Sequence, residues 1–269
     1  MSAADEALLR FSIFIGVFVV LAGAEALWPR RVLSFGRVRW IANLGLSVLN
    51  TALLRLSFLV VPALTVLAAA YVEGQGWGLL PALGVSGVAA GVIGFLVLDL
   101  AIYAQHVLFH YVPVFWRLHR VHHADPDIDV STGIRFHPIE IVVSQAWKII
   151  VVLATGVPAA AVLAFEVALN ATSMFSHSNL RVPLPVDGVL RRLIVTPDMH
   201  RVHHSTVMHE TNSNFGFNLS LWDRLFGTYR AVPEGEQTTM PIGLSSFRGV
   251  EPTRLLWLLR LPFLRGPSA

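Results

Sequence analysis

Residues 99–123 read DLAIYAQHVLFHYVPVFWRLHRVHH, an apolar run that closes on five histidines. His106 and His110 stand four apart, and on a helix residues at i and i+4 share a face, so both imidazoles can reach one metal ion. His119, His122 and His123 follow as HRVHH, the first sharing a face with the other two. The same five letters return eighty-one residues after His119, as His200, His203 and His204. One HxxHH arises by chance in roughly one such chain in fifty, so two copies beside an HxxxH form a specific signal. His177 in FSHSN and His137 in RFHP stand singly, and His209 lies outside every group.

Outward from this stretch the chain reads as lipid-embedded. Hydrophobic residues make up 54% of its 269 residues and charged residues 14%, with a mean hydropathy of +0.62. Soluble domains carry about 25% charged residues. The length suits one domain with a sizeable core. The absence of cysteine excludes disulfides, zinc–thiolate sites and iron–sulfur clusters. The net charge is only +3, with arginines confined to short loops, which reads as membrane topology and not as a nucleic-acid stripe.

A spanning helix needs about 20 mostly apolar residues. Leu8–Trp28 has that length, and Asp5 and Glu6 ahead of it argue against a signal peptide. Ile41–Val72 is a second run, with Arg55 and Pro62 suggesting a kink. Leu79–Leu100 is a third. Ile139–Phe175, broken at Gly156 and Pro158, reads as a hairpin of two short helices. The expected fold is therefore an all-α membrane bundle of about three spans plus a helical hairpin, under a histidine-rich cap. It divides into spans over 1–98, a histidine region over 99–230 and a tail over 231–269. Arg30, Arg31, Arg37 and Arg39 place the first loop in the cytoplasm by the positive-inside rule. That choice puts 73–78 outside and every histidine on the cytoplasmic face, the metal site of a plasma-membrane protein. Residues 253–265 read as a short basic apolar segment, either packed on the domain or lying in the headgroups.

Eight or more imidazoles exceed what one ion accepts, which implies two ions with four or five rings each. Imidazole suits iron, zinc, copper and nickel. Ring N–H groups of metal-bound histidines lean on carboxylates or carbonyls. Asp99, Tyr103, His106 and His110 fall on one helical stripe, and Glu166, Asn170, Ser173 and His177 on another. Asp99, Tyr103, Glu166, Asn170 and Asp198 are thus candidate partners of the rings. Asp99 and Glu166 can instead pair with an arginine such as Arg55. His137 reads either as a ligand or as a cap before proline. Asp125, Asp127 and Asp129 read as a solvated loop, and Gly84, Gly87, Gly91 and Gly94 as a close-packing face.

HVLFH, HRVHH, RFHPIE, FSHSN and TPDMHRVHH followed by NSNFG resemble the fatty acid hydroxylase and sterol desaturase superfamily, and its bacterial sterol desaturase-like members in particular. The resemblance runs from about Asp99 to Arg230. It implies a di-iron oxygenase that hydroxylates or desaturates a membrane lipid with O2. The iron ligands it implies are His106, His110, His119, His122, His123, His177, His200, His203 and His204, with His137 unresolved between ligand and support. Some members carry a further histidine where this chain has Ser173. Electrons are expected from a separate protein, since no haem domain is fused here. Two other readings stay open. A zinc hydrolase needs a general base, and no glutamate lies inside a histidine box. A metal or haem transporter needs ligands at the bilayer midplane, and these gather at helix ends.

Overall fold

In lipid every backbone polar group must be satisfied internally, which leaves long apolar segments no option but helix. The computed structural model describes residues 3–57 and 65–265. Its helices are α1 (Ala3–Leu27), α2 (Trp40–Ser57), α3 (Thr65–Gln75), α4 (Leu79–Ala82), α5 (Gly87–Tyr111), α6 (Pro113–His123), α7 (Pro138–Thr155), α8 (Ala159–His177), α9 (Leu184–Leu190), α10 (Pro197–His203), α11 (Met208–Thr211), α12 (Leu221–Leu225) and α13 (Leu255–Arg260). Among the described residues there is no β-strand, only three isolated bridges. Four helices are long and apolar enough to cross a bilayer: Asp5–Leu27, α5, α7 and α8.

Within the second apolar stretch the described residues belong to α2 and α3; residues 58–64, with Pro62, and the side chain of Arg55 lie outside them. The third span runs on past Leu100 to Tyr111, because its later turns are buried in protein by Asp99, Ile102, Tyr103, His106, Phe109 and His110. Leu98, Ile102, Val152, Val162 and Phe165 form the core where α3, α5, α7 and α8 meet. The α7–α8 hairpin turns at Gly156, whose φ is +71°. A Cβ there would lie 2.4 Å from the Trp77 carbonyl oxygen, and one on Gly78 2.3 Å from the Gly156 nitrogen. The hairpin tip and the 73–84 turn are therefore bound to one end of the bundle. Of the four glycines on or before α5, Gly94 is the one that packs closely, against Val157; a Cβ on Gly84, Gly87 or Gly91 would meet open space. Gly94 marks the tip end of α5, and the rise to His106 is about 18 Å. The histidines thus sit at the opposite end of the bundle.

That end is closed by a polar cap. Arg39 is fully buried and meets Asp125 at 2.6 Å, Asp127 at 3.4 Å and Asp129. The three aspartates do not form a solvated loop; all are buried, and the cluster ties the first arginine-rich loop to the segment after α6. Burial alone would lower the Arg39 guanidinium, but the three carboxylates beside it raise it above its ordinary value. Arg30 likewise pairs with Asp198 at 2.9 Å. Of the tail, Leu258 of α13 and Leu261 just after it pack into a small core with Ala42, Leu46 and Val121, while Leu256 and Phe263 remain exposed.

Candidate metal centre

Three prolines open helices around the site, two of which carry histidines of the groups. Pro113, Pro138 and Pro197 open α6, α7 and α10, positions where the missing N–H costs no helical bond. Val112 is extended, so α6 folds back from the end of α5 and brings His119 and His123 to His106 and His110. α6 also supplies His122, the last turn of α8 supplies His177, and α10 with the residue that follows it supplies His200, His203 and His204.

Nine imidazoles meet in two groups. His106, His110, His119, His123 and His203 form one; His122, His177, His200 and His204 form the other. Within each group the candidate ligand atoms all lie within 4.8 Å of one another. Each HRVHH box feeds both groups. The groups abut, with the His123 and His204 rings stacked at 4.5 Å. All nine are at most 3% exposed.

The hydrogen bonds fix the tautomers that matter. A carbonyl oxygen only accepts, so a ring nitrogen facing one must carry the hydrogen. His106 Nδ1 donates to the Phe215 carbonyl at 2.7 Å, His122 Nδ1 to Arg135 at 3.2 Å, His177 Nδ1 to Ser173 at 2.6 Å and His203 Nδ1 to Ser213 at 2.7 Å. His119 Nδ1 donates to Glu140 Oε1 at 2.6 Å, and His110 Nδ1 faces Asn212 Oδ1 at 3.2 Å. Neutral rings so bonded present bare Nε2 atoms inward. Yet His106 Nε2 lies 3.0 Å from His119 Nε2, and His122 Nε2 lies 2.9 Å from His177 Nε2. Two lone pairs at that distance repel unless a cation lies beside both. Metal–nitrogen bonds of about 2.1 Å at right angles put neighbouring donors about 3.0 Å apart. The first group holds one such contact and the second three, since His177 Nε2 also lies 3.0 Å from His200 Nε2 and 3.2 Å from His204 Nε2. His110 Nε2, His203 Nε2 and both nitrogens of His123 are buried without a hydrogen-bond partner, as are His200 Nδ1 and His204 Nδ1. Buried polar atoms left this way are costly unless an ion satisfies them. The donor set therefore fits metal in both groups.

Electrostatics agree. Burial drives His119 down to about 3 and holds His122, His123, His200, His203 and His204 well below the ordinary imidazole value. Neutral imidazole is the form that ligates. The walls are aromatic: Phe136 stacks on His122 at 4.6 Å, and Phe215 packs on His106, His110 and His203.

The expected carboxylate partners sit elsewhere. Asp99 accepts from Asn218 Nδ2, Leu219 N and Trp222 Nε1, and Tyr103 bonds Thr228. Glu166 is neutralised by Lys148 at 2.6 Å and Arg10 at 2.9 Å, with Thr65 donating at 2.9 Å. Asn170 is exposed and donates to the Glu166 carbonyl. Asp198 pairs with Arg30 and Arg201. Asp99, Tyr103, Glu166 and Asn170 share helical phase with the rings but lie one or more turns away, and Asp198 stands two residues before His200; other cations and amides reach these groups first. His137 stands outside both groups: its Nδ1 accepts from Ile139 N as the cap of α7, and its Nε2 faces the Leu259 carbonyl. Glu140 and Asn212 are the partners that sequence reasoning missed. The available signal for Glu140 was an acidic residue in the first turn of an otherwise apolar helix.

A family model for fatty acid hydroxylase matches residues 91–228, just over half of the chain. The ornithine lipid hydroxylase OlsE of Rhizobium tropici is 31% identical over 151 residues, 56% of this chain and 45% of that protein. Alkylglycerol monooxygenase of Homo sapiens is 32% identical over 141 residues, 52% of this chain and 30% of that protein. The Danio rerio alkylglycerol monooxygenase is 31% identical over 166 residues, 59% and 35% respectively. The matches thus span less than half the length of these curated relatives. No solved structure matches the chain. With the family match covering both HRVHH boxes and every ring of the two groups, the chain belongs to the fatty acid hydroxylase family.

Proposed function

We propose that this protein is a di-iron lipid oxygenase of the bacterial plasma membrane, which inserts one oxygen atom of O2 into an unactivated C–H bond of a membrane lipid. The observation that carries the reading is the paired groups of five and four buried imidazoles at one end of a spanning bundle. Five nitrogen donors exceed the four of a usual zinc site and suit a metal that accepts octahedral coordination. This favours iron over zinc, although zinc can occupy such rings on isolation. The nine ligands are His106, His110, His119, His123 and His203 for one ion, and His122, His177, His200 and His204 for the other. The iron pair supplies the oxygen-activating, one-electron chemistry that breaks the C–H bond.

The chain's own residues do the rest. Carbonyls of Phe215, Ser213, Arg135 and Ser173 fix the ring tautomers, and the aromatic walls keep water from the groups. Hydroxylation balances as substrate C–H, O2, two electrons and two protons giving an alcohol and water. The electrons come from a separate protein, a cytochrome, ferredoxin or reductase. The substrate approaches from the bilayer. An apolar groove of about 510 Å³ opens on the flank of α5, lined by Leu100, Tyr103, Ala104, Val107, Leu108 and Phe226. Its inner wall, Tyr103, packs on Phe215, which packs on three rings of the five-membered group. This groove suits one hydrocarbon chain of a lipid, in keeping with relatives named for ornithine lipid and alkylglycerol.

The test is lipid mass spectrometry of cells with and without the protein, grown with and without oxygen. A lipid gaining one oxygen atom, or losing two hydrogens, only in aerobic cells carrying the protein is the expected result. Oxygen-independent cleavage of an ester by the zinc-loaded protein would replace this reading with that of a hydrolase.

A further inference from the structure

Six of the nine rings have a partner on the outer nitrogen. Five of those partners are neutral oxygens: the carbonyls of Phe215, Ser213, Arg135 and Ser173, and the amide of Asn212. The sixth, Glu140, is a carboxylate. Its Oε1 accepts from His119 Nδ1 at 2.6 Å, while its Oε2 is buried with no partner. Glu140 is 3% exposed and held at the first turn of α7, directly after the His137 cap and Pro138. No arginine or lysine is paired with it among the described residues, in contrast to Glu166, Asp198 and the aspartates after α6.

Charge-assisted hydrogen bonds are roughly twice as strong as neutral ones. A carboxylate behind a metal-bound imidazole raises the basicity of the ligand and locks its orientation. The five-imidazole group has this support, and the four-imidazole group has none among the described residues. The two groups are therefore chemically unequal, although the sequence presents them as twin boxes.

We infer that Glu140 is a positioning residue that acts through His119 to make the five-imidazole group the tighter of two metal sites, the one that fills first. The inference rests on the two-metal reading above and deepens it. Loading is ordered: the first ion enters among His106, His110, His119, His123 and His203, and the second enters the weaker group beside it.

The experiment is a cobalt(II) titration of the purified full chain in detergent, metal-free at the start, against a competing chelator. The parent binds two ions in two resolved steps. Glu140→Gln keeps the shape and an acceptor but loses the charge. It is expected to keep two ions per chain, with the tight step weakened about 10- to 100-fold and the weaker step unmoved. The visible absorption of the first-bound cobalt shifts with it. The inference is overturned if the variant keeps both parent affinities. It is equally overturned if both steps weaken together, the mark of lost packing. A second pair of variants assigns the steps without touching Glu140. The tight step should survive His200→Ala and vanish in His203→Ala; the reverse pattern overturns the order of loading. A parent that binds no cobalt removes the two-metal reading itself, whereas a parent with two sites beside an unaltered Glu140→Gln removes only this inference.

Discussion

His106 and His119 face each other through Nε2 atoms that both lack a hydrogen, and so do His122 and His177. These contacts are unfavourable without a cation and favourable with one, so each ring contributes to holding metal and little to holding the fold. His122→Ala and His203→Ala are therefore expected to abolish lipid oxidation and lower bound metal, while the protein still inserts and elutes as the parent does. Activity assay and metal analysis of the membrane-purified variants check this, and full activity in either would contradict the ligand assignment. Eight of the nine rings were legible in the sequence because imidazole at spacings of three and four has few other uses in an apolar chain; His177, which stands singly, was legible through its helical stripe and the family resemblance. Their supports were not. Four of the six partner atoms are backbone carbonyls, which look the same at every position. The acidic residues that were legible, Asp99, Glu166 and Asp198, are buried and paired, but with amides and cations and not with rings. Helical phase alone could not separate those two outcomes.

At the scale of elements, the segment 213–230 carries two of the ring-holding carbonyls and is itself held by Asp223. That carboxylate accepts from Phe215 N at 2.7 Å, Gly216 N at 2.9 Å and Thr228 Oγ1 at 2.7 Å. Burial pushes Asp223 up to about 6, above its ordinary value, despite these donors. A folded-state value above the unfolded one stabilises fully below the unfolded value, near pH 4, and the contribution is lost as pH rises through about 6. The melting-temperature difference between the metal-free parent and Asp223→Asn is expected to shrink across that window; a constant difference would contradict it. Arg39 is a second such brace. Arg39→Leu removes the cation shared by three buried carboxylates, of which Asp125 keeps Arg135 at 3.9 Å, and is expected to cost about 3–5 kcal/mol, read as a lower melting temperature. A cost below 1 kcal/mol would show that the cluster is solvated after all. The hairpin turn was legible in Gly156 and Pro158. The burial of the aspartate loop was not, because its partner Arg39 lies 86 residues away from Asp125.

Over the whole molecule, the tip of the hairpin and the 73–84 turn lie at one end, and the histidines with the arginine-rich loops at the other. The membrane is thereby divided into a face that carries chemistry and a face that does not. The chain has no cysteine, so a single introduced one is a unique label. Gln75→Cys is expected to react with a membrane-impermeant maleimide in intact cells, and Glu236→Cys only after lysis; the opposite result would invert the topology. Composition made the membrane class legible, and the arginines give an orientation that this labelling tests, whereas the arrangement of the cap depends on contacts between distant segments that no local pattern displays. The proposed chemistry needs two ions held by imidazoles drawn from four separate helices. The most direct measurement is metal content per chain, by elemental mass spectrometry of protein purified from iron-replete cells. Two metal ions per folded chain, predominantly iron, is the expected result. One or none in a folded, metal-supplied sample would contradict it.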